Sequence, residues 1–130
     1  MRQKIKGDKM NVLFLVLICA GIGVIGQLAM KKGMNIIGNI GVKEIFSSRV
    51  FEILFQKYVF VGMALYVFAS LLWLVILSQE ELSFVYPLIS IGYIMTAILG
   101  KIFFHENLTF FRFFGVLLIC GGVFLIVLKL

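Results

Sequence analysis

The chain has 130 residues and a net charge of +6, and 62% of its residues are apolar while only 14% are charged. Ordinary soluble domains are about 45–50% apolar and about 25% charged, and a domain of this size leaves much of its surface in water. The composition therefore excludes a soluble single domain, a disordered tail and a disulfide-stapled secreted module. The basic excess flanks apolar runs, where Lys and Arg meet lipid phosphates, so it indicates membrane-flanking charge and not nucleic-acid binding.

Four runs of the sequence are apolar enough to cross a bilayer as helices, for which about 20 residues are needed. They are Asn11–Met30, Tyr58–Ser78, Leu82–Gly100 and Phe113–Leu128, the last with its helix expected to begin near residue 111. The first run is too long, and too poor in small residues at its end, for a removed signal peptide. Because helices satisfy their own backbone hydrogen bonds in lipid, the sequence predicts an all-α membrane protein whose residues 1–130 form a single four-helix transmembrane domain.

The connections between these runs differ in length. Within the long first connection, Val42–Gln56 has apolar residues at near-helical spacing and polar residues between them. We interpret this segment as an amphipathic helix in the membrane interface; the alternative is an N-terminal extension of the second span. The other connections, Glu80-Glu81 and residues 105–109, are short enough to make the helices they join antiparallel.

The basic residues leave the orientation nearly balanced. If the N-terminus is cytoplasmic, five Lys and Arg lie on that side and seven on the other. A basic tail next to the first span usually dominates insertion, so a cytoplasmic N-terminus is favoured, and dual insertion stays open.

None of the four runs contains Asp or Glu. Proton-coupled carriers usually place a carboxylate at mid-membrane, where burial shifts its pKa. The sequence also has no phosphate-binding glycine loop, nucleophile elbow or paired carboxylates, so we expect neither enzymatic activity nor a cofactor. His105 is the single histidine, and Cys19 and Cys120 lie in apolar runs as packing residues, so no metal site is expected.

Uncharged polar residues are the remaining candidates for function. Gln27 follows Gly21, Gly23 and Gly26 in the first run. Glycines allow helices to approach closely, and a glutamine in lipid needs a hydrogen-bonding partner. Gln27 therefore either faces a substrate headgroup or bonds a neighbouring helix.

The third run contains Pro87, which lacks a backbone N–H, so its helix is expected to start late or to kink there. Tyr86 and Ser90 flank this proline, and Tyr93 and Lys101 follow on roughly the same face. The alternative is an interfacial tyrosine, a first-turn proline and a lysine that extends to the interface. The candidate substrate-binding residues are Gln27, Tyr86, Ser90, Tyr93 and Lys101.

The last connection and the fourth run offer structural features. Residues 107–109 are expected to cap the fourth helix, with Glu106 paired to Arg112 or to a backbone amide. Three glycines of the fourth run suit close helix contact, including contact between subunits; they are Gly115, Gly121 and Gly122.

Short motifs in a fixed order resemble the small four-helix branch of the drug/metabolite transporter superfamily. They are residues 26–33 (GQLAMKKG), 72–74 (LWL) with 85–90 (VYPLIS), and 101–106 (KIFFHE) with Gly115 and 119–123 (ICGGV). The order is most similar to the EamA-like small subunits that flip aminoarabinose-linked undecaprenyl phosphate. In the sister family of small multidrug resistance exporters, a glutamate would stand at Gly23 and a tryptophan at Ile89, so cation export is not favoured. This chain differs from those subunits at Asn107, where they tend to have proline, and in its longer first loop.

The resemblance implies a multi-pass flippase of the bacterial cytoplasmic membrane. Its substrate would be a polyprenyl-phosphate-linked sugar or a similar amphipathic lipid, and its partner a second copy or a similar small subunit, in a dimeric bundle. Two alternatives stay open: an exporter of small molecules or cations, and a non-transporting subunit of a membrane glycosyltransferase assembly. None of these three hypotheses involves nucleic acid.

Overall fold

The computed structural model describes residues 9–128, with side chains from residue 11 onward. This part of the chain forms seven helices: α1 (Lys9–Ile37), α2 (Val42–Ile45), α3 (Arg49–Phe55), α4 (Lys57–Gln79), α5 (Leu82–Leu88), α6 (Ile91–Phe104) and α7 (Phe110–Leu128). Four stretches are long and apolar enough to cross a membrane: Asn11–Ile37, Lys57–Gln79, Leu82–Phe104 and Phe110–Leu128. The predicted all-helical architecture is therefore confirmed, with four helices whose length and apolar composition suit a membrane span.

The first helix is longer than the apolar run that predicted it. α1 continues through Lys31 and Lys32 to Ile37, because nothing in those residues breaks a helix. It ends where Gly38 adopts a positive φ of 94° and donates its N–H to the Met34 carbonyl at 2.9 Å. A glycine in this conformation is a common helix terminator.

The amphipathic segment between the first two spans forms two short helices instead of one. α2 and α3 are separated at Ser47, whose hydroxyl donates to the Glu44 carbonyl at 2.6 Å and accepts the Arg49 N–H at 3.3 Å. Such side-chain bonds compete with the helical backbone ladder. Gln56 then has an extended backbone, which separates α3 from α4, so the segment is not a continuous extension of the second span.

The third span is interrupted close to its proline. Pro87 lies inside α5, so the helix does not start late, and the break comes at Ile89 and Ser90. The Ile89 and Ser90 N–H groups donate three residues back, to Tyr86 and Pro87. The predicted kink is thus present as a break between α5 and α6.

The closest helix packing joins α1 to α4 and depends on glycine. A Cβ built on Gly62 would lie 2.5 Å from the Gly26 carbonyl oxygen and 2.9 Å from the Met30 nitrogen. Small residues allow membrane helices this degree of approach. The buried core lies beside this contact and comprises Val12, Val16, Cys19, Ala69, Ile76, Val85 and Leu88.

The last helix packs loosely against α5 and α6. No described residue of α7 is buried, and a Cβ on Gly115, Gly121 or Gly122 would meet open space. The glycines of the fourth span therefore make no close contact within the described part of this chain. Its N-terminus has the predicted cap, because the Thr109 hydroxyl accepts the Arg112 N–H at 3.3 Å.

Candidate functional site

A pocket of about 260 Å³ lies between α1, α4 and the interrupted third span. Its polar and aromatic wall consists of Gln27, Tyr66, Ser70, Trp73, Tyr86 and Tyr93. Small and apolar residues complete the lining: Cys19, Ala20, Gly23, Val24, Ala69, Ile89 and Gly92. At about 1.5 Å of rise per residue, Gln27 lies about 15 Å along the axis from the end of α1. The pocket is therefore in the middle part of the bundle.

Three of the five predicted site residues line this pocket. Gln27 reaches it from α1, Tyr86 from α5 and Tyr93 from α6. Tyr86 is 62% exposed and Tyr93 59% exposed, so both phenol rings are accessible. The structure thus brings together one amide and two phenols that lie far apart in the sequence.

The other two predicted residues are not part of the pocket lining. The Ser90 hydroxyl donates to the Pro87 carbonyl at 2.5 Å, so it supports the break between α5 and α6. Lys101 lies in the last turn of α6 and is exposed. The common face predicted for the third span is interrupted because the helix does not continue through residues 89 and 90.

The contribution of α4 was not predicted from the sequence. Tyr66, Ser70 and Trp73 stand at spacings of four and three residues, and this regular placement of polar atoms on one face is the signal that identifies them. The Trp73 and Tyr86 rings meet edge to face, with centroids 6.2 Å apart and planes at 66°. This contact joins α4 to the proline-containing helix across the pocket.

The pocket chemistry is that of an uncharged binding site. No Asp, Glu, Lys, Arg or His lies among the lining residues that the structure describes. The Gln27 amide and the phenol groups can donate and accept hydrogen bonds, and the aromatic rings offer flat apolar faces. The Cys19 thiol donates to the Ala69 carbonyl at 3.2 Å, which joins α1 to α4. Such a lining suits a neutral polar group, such as a sugar, more than acid–base chemistry.

A second cavity of about 290 Å³ lies between α6 and α7, near the connection that joins them. Glu106 and Arg112 are its charged lining residues. The Arg112 guanidinium donates to the Asn107 carbonyl at 3.1 Å, and a Cβ on Gly100 would lie 3.0 Å from a Glu106 carboxylate oxygen. Among the described residues, the predicted ion pair between Glu106 and Arg112 does not form. Within residues 9–128, no group of three His, Cys, Asp or Glu side chains could hold a metal ion.

Comparison with known proteins gives a family match over nearly the whole chain. The model of the EamA-like transporter family matches residues 3–128. The chain is 28% identical over 123 residues to the probable 4-amino-4-deoxy-L-arabinose-phosphoundecaprenol flippase subunit ArnE of Pseudomonas fluorescens, covering 90% of this chain and 96% of that protein. It is 33% identical over 107 residues to the probable flippase subunit ArnF of Proteus mirabilis, covering 78% and 80% of the two chains. No solved structure gives a significant match.

Proposed function

The chain belongs to the EamA-like transporter family, and from this premise we propose that it is a subunit of a lipid flippase. The proposed substrate is a polyprenyl-phosphate-linked sugar or a similar amphipathic lipid. It would move from the cytoplasmic to the outer leaflet of the bacterial cytoplasmic membrane, with the N-terminus of the chain in the cytoplasm. The names of the relatives, which are aminoarabinose-phosphoundecaprenol flippase subunits, support this substrate class.

The mid-bundle pocket is the observation that carries the proposal. A polar headgroup in hydrocarbon costs several kcal/mol unless its hydrogen bonds to water are replaced. Gln27, Tyr86 and Tyr93 line this pocket, and in this proposal their hydrogen-bonding groups supply such replacements while the polyprenyl chain stays in the bilayer. Ser90 and Lys101 lie outside the pocket lining and have no role in this proposal.

A dimer is part of the proposed function. Four spans form a thin bundle, and α7 has no buried residue among those that the structure describes. The relatives are named as subunits, which supports pairing with a similar small chain or with a second copy. In either arrangement, the pathway for the headgroup would be completed by the partner.

Alanine at two pocket residues tests the proposal directly. We expect Gln27→Ala/Tyr86→Ala to lower the rate of flipping in proteoliposomes at least tenfold, because each lost hydrogen bond to a buried polar group costs about 1–3 kcal/mol. The measurement follows the accessibility of a lipid-linked sugar to a membrane-impermeant reagent. Gln79→Ala is the matched control, because Gln79 is exposed at the far end of α4. An unchanged flipping rate in the double variant would contradict the assignment of these residues.

A further inference from the structure

Two lysines from different helices lie close to one tyrosine ring. The Lys32 ammonium stands 4.5 Å from the centroid of the Tyr58 ring, and the Lys57 ammonium stands 5.1 Å from the same centroid. Lys32 is on α1, whereas Lys57 and Tyr58 begin α4. A lysine over an aromatic face is attracted by the ring quadrupole, but two ammonium groups sharing one ring repel each other.

Helix packing brings these three residues together. Gly33 follows Lys32, and a Cβ built on Gly33 would lie 2.9 Å from the Val59 nitrogen and 2.6 Å from a Val59 methyl group. Val59 in turn follows Tyr58. Because α1 and α4 touch at Gly33 and Val59, Lys32 and Tyr58, which are each adjacent in sequence to one of these residues, are both held close to the helix contact.

The electrostatic surroundings of this cluster are positive. The N-terminus of α4 carries partial positive charge from the helix dipole, and the first turn of α4 contains no acidic residue. The carboxylates of the neighbouring loop are engaged elsewhere: Arg49 pairs with Glu44 at 3.0 Å and with Glu52 at 3.6 Å. Among the described residues, no ion pair reaches Lys32 or Lys57. An anion bound between the two lysines would remove their mutual repulsion.

The cluster lies at the level where the apolar spans end. Lys32 is the second residue after the first apolar run, which ends at Met30, and Lys57 comes directly before the second run. Tyrosine and lysine are typical of this level of a bilayer, where lipid phosphates lie. From Gln27 in the pocket to Lys32 the axial rise along α1 is about 7.5 Å, and from Tyr66 to Tyr58 it is about 12 Å along α4.

We propose that Lys32, Lys57 and Tyr58 form a binding site for the phosphate group of a membrane lipid, at the end of the bundle that carries the α1–α4 loop. The identity of one occupant rests on the proposed function: a polyprenyl phosphate whose sugar lies in the pocket. The two ammonium groups bind the phosphate oxygens as point charges on flexible stems, and the Tyr58 ring attracts both ammonium groups to the same place. With the N-terminus in the cytoplasm, this end of the bundle faces the outer leaflet, so binding here holds the phosphate at the end of the pocket from which the headgroup leaves.

Lipid binding to the full chain in detergent, measured by native mass spectrometry, tests this site. The probes are undecaprenyl phosphate and phosphatidylglycerol, each titrated alone, and inorganic phosphate as a competitor. We expect the double variant Lys32→Gln/Lys57→Gln to bind undecaprenyl phosphate at least tenfold more weakly than the unmodified chain. Lys32→Arg/Lys57→Arg keeps both charges and is expected to bind within about threefold of the unmodified chain.

Lys43→Gln is the control, since it removes one lysine from α2, and it is expected to leave lipid binding unchanged. Equal loss for undecaprenyl phosphate and phosphatidylglycerol in the double variant supports a general lipid-phosphate site. A larger loss for undecaprenyl phosphate supports a substrate site. Undiminished binding of both lipids by the double variant overturns the proposal, as does an equal loss in Lys43→Gln. Displacement of the lipid by millimolar inorganic phosphate supports recognition of the phosphate group itself.

Lipid binding by native mass spectrometry and flipping in proteoliposomes, measured on the same variants, together separate this proposal from the proposed function. Gln27→Ala/Tyr86→Ala alters the pocket and leaves the lysines in place, so it is expected to retain phosphate-dependent binding. If that variant binds lipid and flips it at the normal rate, the pocket assignment fails and the phosphate site stands. If the lysine double variant flips slowly but binds lipid normally, the phosphate site fails and the proposed function stands.

Discussion

The α1–α4 pair and helix α7 use glycine in opposite ways. In the pair, Gly26, Gly33 and Gly62 are buried, and a Cβ on any of them would collide with the facing helix. On α7, Gly115, Gly121 and Gly122 have open space beside them. The two regions are similar in apolar composition, so composition does not separate a helix that is packed from one that is not.

The difference matters because lipid supplies no hydrophobic force between helices. Lipid tails are as apolar as leucine, so membrane helices associate through close van der Waals packing and hydrogen bonds. The α1–α4 pair has such packing within one chain, and it supports one wall of the pocket. None of the described residues of helix α7 is buried, which is the reason that a second subunit enters the proposed function.

The largest effect is expected from crowding the α1–α4 contact. Gly62→Val places a branched side chain where even a Cβ would lie 2.5 Å from the Gly26 oxygen. The Cβ is fixed to the backbone of one helix and the oxygen belongs to the backbone of the other, so the helices must separate. We expect a loss of about 1–3 kcal/mol in the free energy of unfolding. The measurement is denaturant-induced unfolding in bicelles, followed through the fluorescence of Trp73.

Gly21→Val is the control for this prediction. It is the same substitution in α1, at a position where a Cβ meets nothing within 4 Å. We expect a change of less than about 0.5 kcal/mol for this variant. Equal destabilisation by the two substitutions would show that the tight contact is not the source of the stability.

A smaller effect is expected at the end of the same contact. The Gln56 side-chain oxygen accepts the Tyr58 and Val59 N–H groups at 2.8 and 2.9 Å. Gln56→Ala leaves these two groups without their cap, which costs about 1 kcal/mol. Thermal unfolding of Gln56→Ala beside Gln79→Ala, the same change at the exposed end of α4, measures this cost. If the two variants unfold at the same temperature, the cap contributes nothing to the stability of the pair.

Much of the fold follows from hydropathy, whereas the helix ends and breaks do not. The four spans were predicted because about 20 apolar residues in lipid leave the backbone little choice but a helix. The extension of α1 to Ile37 was missed, since charged residues mark the edge of the hydrocarbon and not the end of a helix. The break between α2 and α3 depends on the bonds of Ser47, and a serine is equally compatible with a continuous helix.

The pocket was predicted in part, for a physical reason. Gln27, Tyr86 and Tyr93 were found because polar groups in an apolar span need partners. The wall contributed by α4 was missed because most of that helix is apolar, so its hydropathy pattern alone does not mark an inward face, although Tyr66, Ser70 and Trp73 share one face by their spacing. The contacts of α4 with α1, at Gly62 and at the Ala69 carbonyl, orient Tyr66, Ser70 and Trp73 toward the pocket.

The smallest effect is expected on α7, and its size tests whether this helix is covered within one chain or by a second subunit. Leu118 is 76% exposed, so Leu118→Ala removes few contacts within one chain and should change the unfolding free energy by less than about 0.5 kcal/mol. Ile76→Ala, at a wholly buried position, is the reference for a packed residue. Two measurements are needed. The free energy of unfolding is measured at a low protein-to-lipid ratio, and self-association is measured at a high ratio by energy transfer between labelled copies. A loss above about 1 kcal/mol in the dilute sample would mean that α7 is covered within one chain. Weaker association of Leu118→Ala in the concentrated sample, with an unchanged dilute sample, would place the subunit contact on this helix.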